Sequence, residues 1–177
     1  MKNIYIVISQ TGSVLSRLIG VFTKSGYNHS SLSLDETLET MFSFGRLNPY
    51  DPLIGGLVCE GRNIGTFKRF ANTRVMVLQI PVGEKRYEAI KKAVYEMYAK
   101  RDWYRYNYEG LFLAAIGIDL KRERAFYCSQ FVKNVLVENK AIEMDILPRV
   151  TAPKDFLTLS KAKVIYEGLL CAYPVNS

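Results

Sequence analysis

The feature that most limits how this chain can fold is a change in hydrophobic spacing near residue 83. Before it, most apolar residues fall into short β-rich runs: IYIVIS, HSSLSLD, LETMFSFGR, LVCEG and RVMVLQIPV. After it, they recur at helical intervals, at 87, 90, 94, 97 and 98 and again at 128, 131, 132, 135 and 136. A period of two marks half-buried strands and a period near 3.6 marks amphipathic helices. The pattern predicts an α+β fold, a central mostly antiparallel sheet of at least five strands with helices packed on it.

Local punctuation refines this reading. After the first strand the polar turn QTGS leads into VLSRLIGVF, whose apolar residues at 14, 15, 18, 19 and 22 predict an early helix that Gly26 follows. Asp35, Glu36 and Thr37 form a turn, so LETMFSFGR pairs back on HSSLSLD as a hairpin. LNPYDPLIGG carries two prolines and a glycine pair and is predicted as a loop. YEGLFLAAIGI is expected to be a more buried helix than its predecessor, and TAPKDFL a short proline-initiated turn before a terminal strand holding Cys171.

A length of 177 residues supports one domain, spanning 1–177. No stretch approaches the roughly 20 consecutive apolar residues of a membrane span, and MKNIYIVISQTGS has no signal-peptide cleavage site. Three scattered cysteines, at 59, 128 and 171, fit free thiols in a reducing, cytoplasmic setting. The formal charge of +7 is spread along the chain, the pattern of solvated basic faces.

Chemistry centres on Cys128 and on His29, the chain's only histidine. Cys128 opens the inward stripe of a helix that ends near Glu138, where unpaired backbone N–H groups and the helix dipole favour a thiolate. His29 shares a strand face with Ser31 and Ser33, small residues that leave room for a helix end to approach. A helix-leading thiol and an imidazole in reach of it make a nucleophile and its base. Cys59 and Cys171 lie in strand-like runs with no helix start beside them. The hairpin sets Ser43 or a direct neighbour across from His29.

Two blocks, LSRLIGVFTKSGYNHSSLSL (Leu15–Leu34) and FYCSQFVKNVL (Phe126–Leu136), together resemble the circularly permuted NlpC/P60 proteins. These papain-like thiol enzymes include YiiX-like and lecithin:retinol acyltransferase-like members. In the permuted group the histidine precedes the cysteine, as here. The resemblance implies a permuted papain-like fold, Cys128 as nucleophile, His29 as base and an imidazole-orienting residue near Ser43. A serine hydroxyl is a weaker partner there than the carboxylate or imidazole usual in the family. A one-residue slip of register would bring Glu39 or Glu60 instead.

The expected activity is therefore a cofactor-free thiol hydrolase or acyltransferase, acting on a small-molecule, peptide or lipid substrate with an acyl group. No metal-ligand spacing occurs, and GGLVCEGRNIG lacks the lysine of a phosphate-cradling loop. KRDWYRYNYEG interleaves basic and aromatic residues but reads as a packed connection between helices, so no specific nucleic-acid partner is expected. The competing class is a non-catalytic binding module of the same fold that holds an anionic ligand, lipid headgroup or nucleic acid.

Overall fold

The computed structural model describes residues 1–11 and 26–174. Among them, strands β1 (Lys2–Gln10), β2 (His29–Ser33), β3 (Met41–Asn48), β4 (Asp51–Glu60), β5 (Arg74–Val82) and β8 (Lys163–Leu169) form one sheet in the order β4-β3-β2-β1-β5-β8. Every neighbouring pair is antiparallel. The helices are α1 (Gly65–Arg69), α2 (Glu84–Ala99), α3 (Tyr108–Ala114) and α4 (Cys128–Glu138), and a short parallel pair, β6 (Arg105–Tyr106) with β7 (Ala125–Phe126), stands apart from the main sheet. The chain is thus α+β, with helices packed on a mostly antiparallel sheet. The helix predicted over 14–22 lies outside the described residues.

Strand alternation divides the core in two. One face of the sheet carries Ile4, Ile6 and Ile8 of β1, Leu32 of β2 and Phe42 and Phe44 of β3, packed against Ile90 and Val94 of α2 and Phe131, Val132, Val135 and Leu136 of α4. The other carries Tyr5, Val7, Met41, Val75 and Val77 beneath Phe67 of α1 and Leu170 and Tyr173. Burying about 25 cal/mol per Å² of apolar surface on both faces fixes register, because a one-residue slip would exchange them.

Three local expectations are corrected. The segment predicted as a loop is largely strand, since β4 begins at Asp51; it lies at the sheet edge, where Pro52 removes no ladder hydrogen bond that the fold requires. Helix α3 is not the more buried helix, for only Gly110 within it is buried. Cys171 falls beyond β8, exposed in a turn over Leu170–Ala172 whose Leu170 is buried.

The edge strand also explains a glycine. A Cβ at Gly55 would stand 2.7 Å from the Tyr108 hydroxyl and 2.9 Å from Tyr106, so those rings lie directly on the backbone of β4. Gly55→Ala should displace both rings and destabilise the fold by about 1–3 kcal/mol, measurable by urea denaturation.

Candidate active site

Helix α4 starts where the sequence predicts, and its first turn is anchored from several directions. The Gln130 side chain accepts from the backbone N–H of Tyr127 at 3.3 Å and from Asn107 Nδ2 at 3.1 Å. Asn107 in turn caps α3, its Oδ1 accepting from the Gly110 N–H at 2.9 Å. The buried Ser129 hydroxyl donates to the Thr151 carbonyl at 2.6 Å. These bonds hold Cys128 at the helix head over β2, one wall of the sheet.

His29 is the first residue of β2, so its ring stands at the end of the sheet, where it can meet a group arriving over the opposite face. Its Nε2 lies 3.1 Å from Glu60 Oε2 and 3.3 Å from the Ser31 hydroxyl, and the Cys128 thiol stands close enough to the ring to raise its pKa. With Nε2 directed at the carboxylate, Nδ1 is the nitrogen left for the sulfur. Ser30, the next residue, lies near enough to the same sulfur to help lower the thiol pKa. The buried Ser30 hydroxyl has no hydrogen-bond partner among the described residues.

Glu60 closes the chain of contacts. The register Met41↔Glu60 puts its side chain on the face of Ser43, and Oε2 accepts from the Ser43 hydroxyl at 2.7 Å and the Ser31 hydroxyl at 2.8 Å. Ser43 therefore does not face the imidazole. The β2–β3 register, Leu32↔Phe42, continues to set Ser43 against Ser31 rather than His29, and the hydroxyl reaches the carboxylate. Glu39 is exposed and sits 4.0 Å from Arg62, away from the imidazole.

Burial opposes every charge in this chain, yet mutual attraction prevails. For His29 burial disfavours the cation, but the Glu60 charge and the hydrogen bonds of Cys128 and Glu60 push its pKa up to about 10. For Glu60 burial works upward and the His29 charge, with bonds from His29, Ser43 and Ser31, brings the carboxyl below its ordinary value. For Cys128 burial also works upward, while His29 and Ser30 bring the thiol below the ordinary range. Each shift favours the charged form of its group: thiolate at Cys128, imidazolium at His29 and carboxylate at Glu60.

Sequence reasoning found His29 and Cys128 as neighbours and missed Ser30, Ser31, Asn107 and Gln130. Glu60 offered a signal: it ends an apolar run, a place where a carboxylate is rare unless paired. Because Ser43 gives Glu60 one charge-assisted bond, Ser43→Ala should cost about 1.5–3 kcal/mol of stability while leaving the His29 contact intact. Thermal unfolding and the thiolate absorbance of the same sample would separate the two effects.

No protein-family model and no curated protein matches the chain. Its functional reading accordingly rests on the geometry of its own residues. Among the described residues no cluster of three or more His, Cys, Asp or Glu side chains could hold a metal ion, and no helix is long and apolar enough to cross a membrane.

Proposed function

We propose that the protein is a permuted papain-like, NlpC/P60-type thiol hydrolase or acyltransferase that works on an amide or ester without a cofactor. The observation that carries this reading is the Cys128–His29–Glu60 chain, buried at its thiol and carboxylate ends, with the thiol lowered and the imidazole raised. Three unpaired cysteines suit a reducing, cytoplasmic setting.

The Cys128 thiolate adds to the substrate carbonyl carbon, and first-turn backbone N–H groups of α4 stabilise the resulting oxyanion. Collapse breaks the bond to the leaving amine or alcohol, which takes the proton of the His29 imidazolium. The neutral imidazole then removes a proton from water or an acceptor hydroxyl. Attack of that oxygen on the thioester releases the acyl group and restores the thiolate–imidazolium pair. Glu60 holds the ring and balances its charge throughout.

Incubation with para-nitrophenyl acetate and intact-mass analysis tests the reading. The expected product is a single acetyl adduct on Cys128, lost in Cys128→Ala and His29→Ala. Its formation should persist through neutral pH and fall as His29 loses its proton near its pKa of about 10. Acylation elsewhere, or none, would leave the fold as a binding module.

A further inference from the structure

The apolar residues that α3 was expected to bury stand in the open. Phe112 is 63% exposed, and Ile116, just beyond the helix end, is 72% exposed. They follow Tyr108 at i+4 and i+8, on one stripe. The Tyr108 hydroxyl donates to the Leu53 carbonyl at 2.9 Å, so this stripe begins against the open end of the β3–β4 hairpin. There Tyr50 is 76% and Leu53 79% exposed, and Leu47 and Ile54 are more than half exposed.

Tyr106 and Tyr108 lie over Gly55 on one face of the hairpin, Leu47 lies over Gly56 on the other, and the register shift between Arg46 and Asn48 leaves Leu53 and Ile54 in an irregular, exposed stretch. Both faces of the hairpin end are therefore apolar and uncovered. We propose that this hairpin end, together with the exposed stripe of α3, inserts into the interfacial layer of an anionic lipid bilayer.

Geometry and charge select this occupant. A protein docked on one face would leave the other apolar face in water, whereas insertion covers both. A second copy carries the same net charge of +7 and is repelled overall, whereas an anionic surface brings the opposite sign. Arg46 of the hairpin and Arg69 of α1 beside it supply side chains suited to the headgroup layer. The Arg69 guanidinium lies 4.2 Å from the centroid of the Tyr50 ring and donates to the Pro49 carbonyl at 2.6 Å, and Arg46 lies 5.5 Å from the centroid of the Phe70 ring. Asp51, the only acidic residue between 46 and 56, is engaged within the turn by the Leu53 N–H at 2.8 Å.

The surface ends at Tyr106, whose ring covers Gly55 and lies in the electrostatic field of Cys128. A bilayer held there adjoins the candidate nucleophile, but the binding does not depend on the thiol. Co-sedimentation with vesicles separates the two ideas. Wild-type protein should pellet with equimolar phosphatidylcholine–phosphatidylglycerol and not with phosphatidylcholine alone, and added salt should release it. The double variant Leu53→Ser/Phe112→Ser should bind about tenfold more weakly while its melting curve stays unchanged, because both side chains are exposed. Cys128→Ala should bind as wild type does even if the acyl-transfer reading fails. Absence of pelleting with anionic vesicles would overturn the proposal, as would undiminished binding by the double variant. Concentration-dependent dimers abolished by the same double variant, without vesicle binding, would assign the surface to a second copy instead.

Discussion

Glu60→Ala should destabilise the protein by about 3–5 kcal/mol, the largest loss expected from any single side chain in the site. The carboxylate is buried and accepts from two serine hydroxyls while facing the imidazole at 3.1 Å. Its removal leaves two hydroxyls without their acceptor and a buried cation without its counter-charge. At roughly 2–4 °C per kcal/mol for a domain of this size, the melting temperature should fall by about 10 °C.

The deficit should depend on pH in a definite sense. The folded pKa of His29 is raised from 6.5 to about 10, so its contribution is complete below 6.5 and is lost as pH rises through about 10. Glu60 is lowered from 4.5, so its contribution is complete above 4.5 and is lost as pH falls through its folded value. The gap between wild type and Glu60→Ala should therefore be widest between 4.5 and 6.5 and should narrow in alkali. A gap that widened with rising pH would contradict a paired imidazolium. Urea melts at several pH values would reveal it.

His29→Ala carries the largest expected effect on chemistry. Removing the imidazole takes away the leading influence that lowers the Cys128 thiol and leaves burial, which raises it. At pH 6 an ordinary thiol is thiolate to only about one part in three hundred. A lowered thiol is a weaker nucleophile per thiolate, so its rate advantage is smaller than its thiolate fraction alone implies. With the imidazolium that faces the leaving group also lost, acylation by para-nitrophenyl acetate should fall by about a hundredfold or more. His29→Gln, which keeps a hydrogen-bonding group, should restore stability toward wild type without restoring acylation.

Much of this was legible in the sequence where one physical signal acted alone. The near-continuous apolar, β-branched runs IYIVIS and RVMVLQIPV marked the central strands, because both of their faces are buried against apolar neighbours. The stripe from Cys128 to Leu136 marked α4 with its cysteine leading. The first half of β4 was hidden because Pro52, Gly55 and Gly56 resemble loop punctuation, yet an edge position accepts the proline and overlying tyrosine rings require Gly55. Without that half the β3–β4 register stayed open, so Ser43 stood ahead of Glu60, the alternative that takes the place beside the imidazole. The apolar spacing of α3 predicted burial, but spacing records only which side chains share a stripe, not what covers it.

The central claim is a buried thiolate held by an imidazolium, and its most direct measurement is the pH titration of the thiolate ultraviolet absorbance of wild type against Cys128→Ala. The difference isolates one of three thiols. A thiolate signal already present at neutral pH, vanishing in acid with a midpoint well below 8.5 and moved upward by His29→Ala, is the predicted result. A Cys128 signal that emerges only at or above 8.5, with the same midpoint in both proteins, would contradict it.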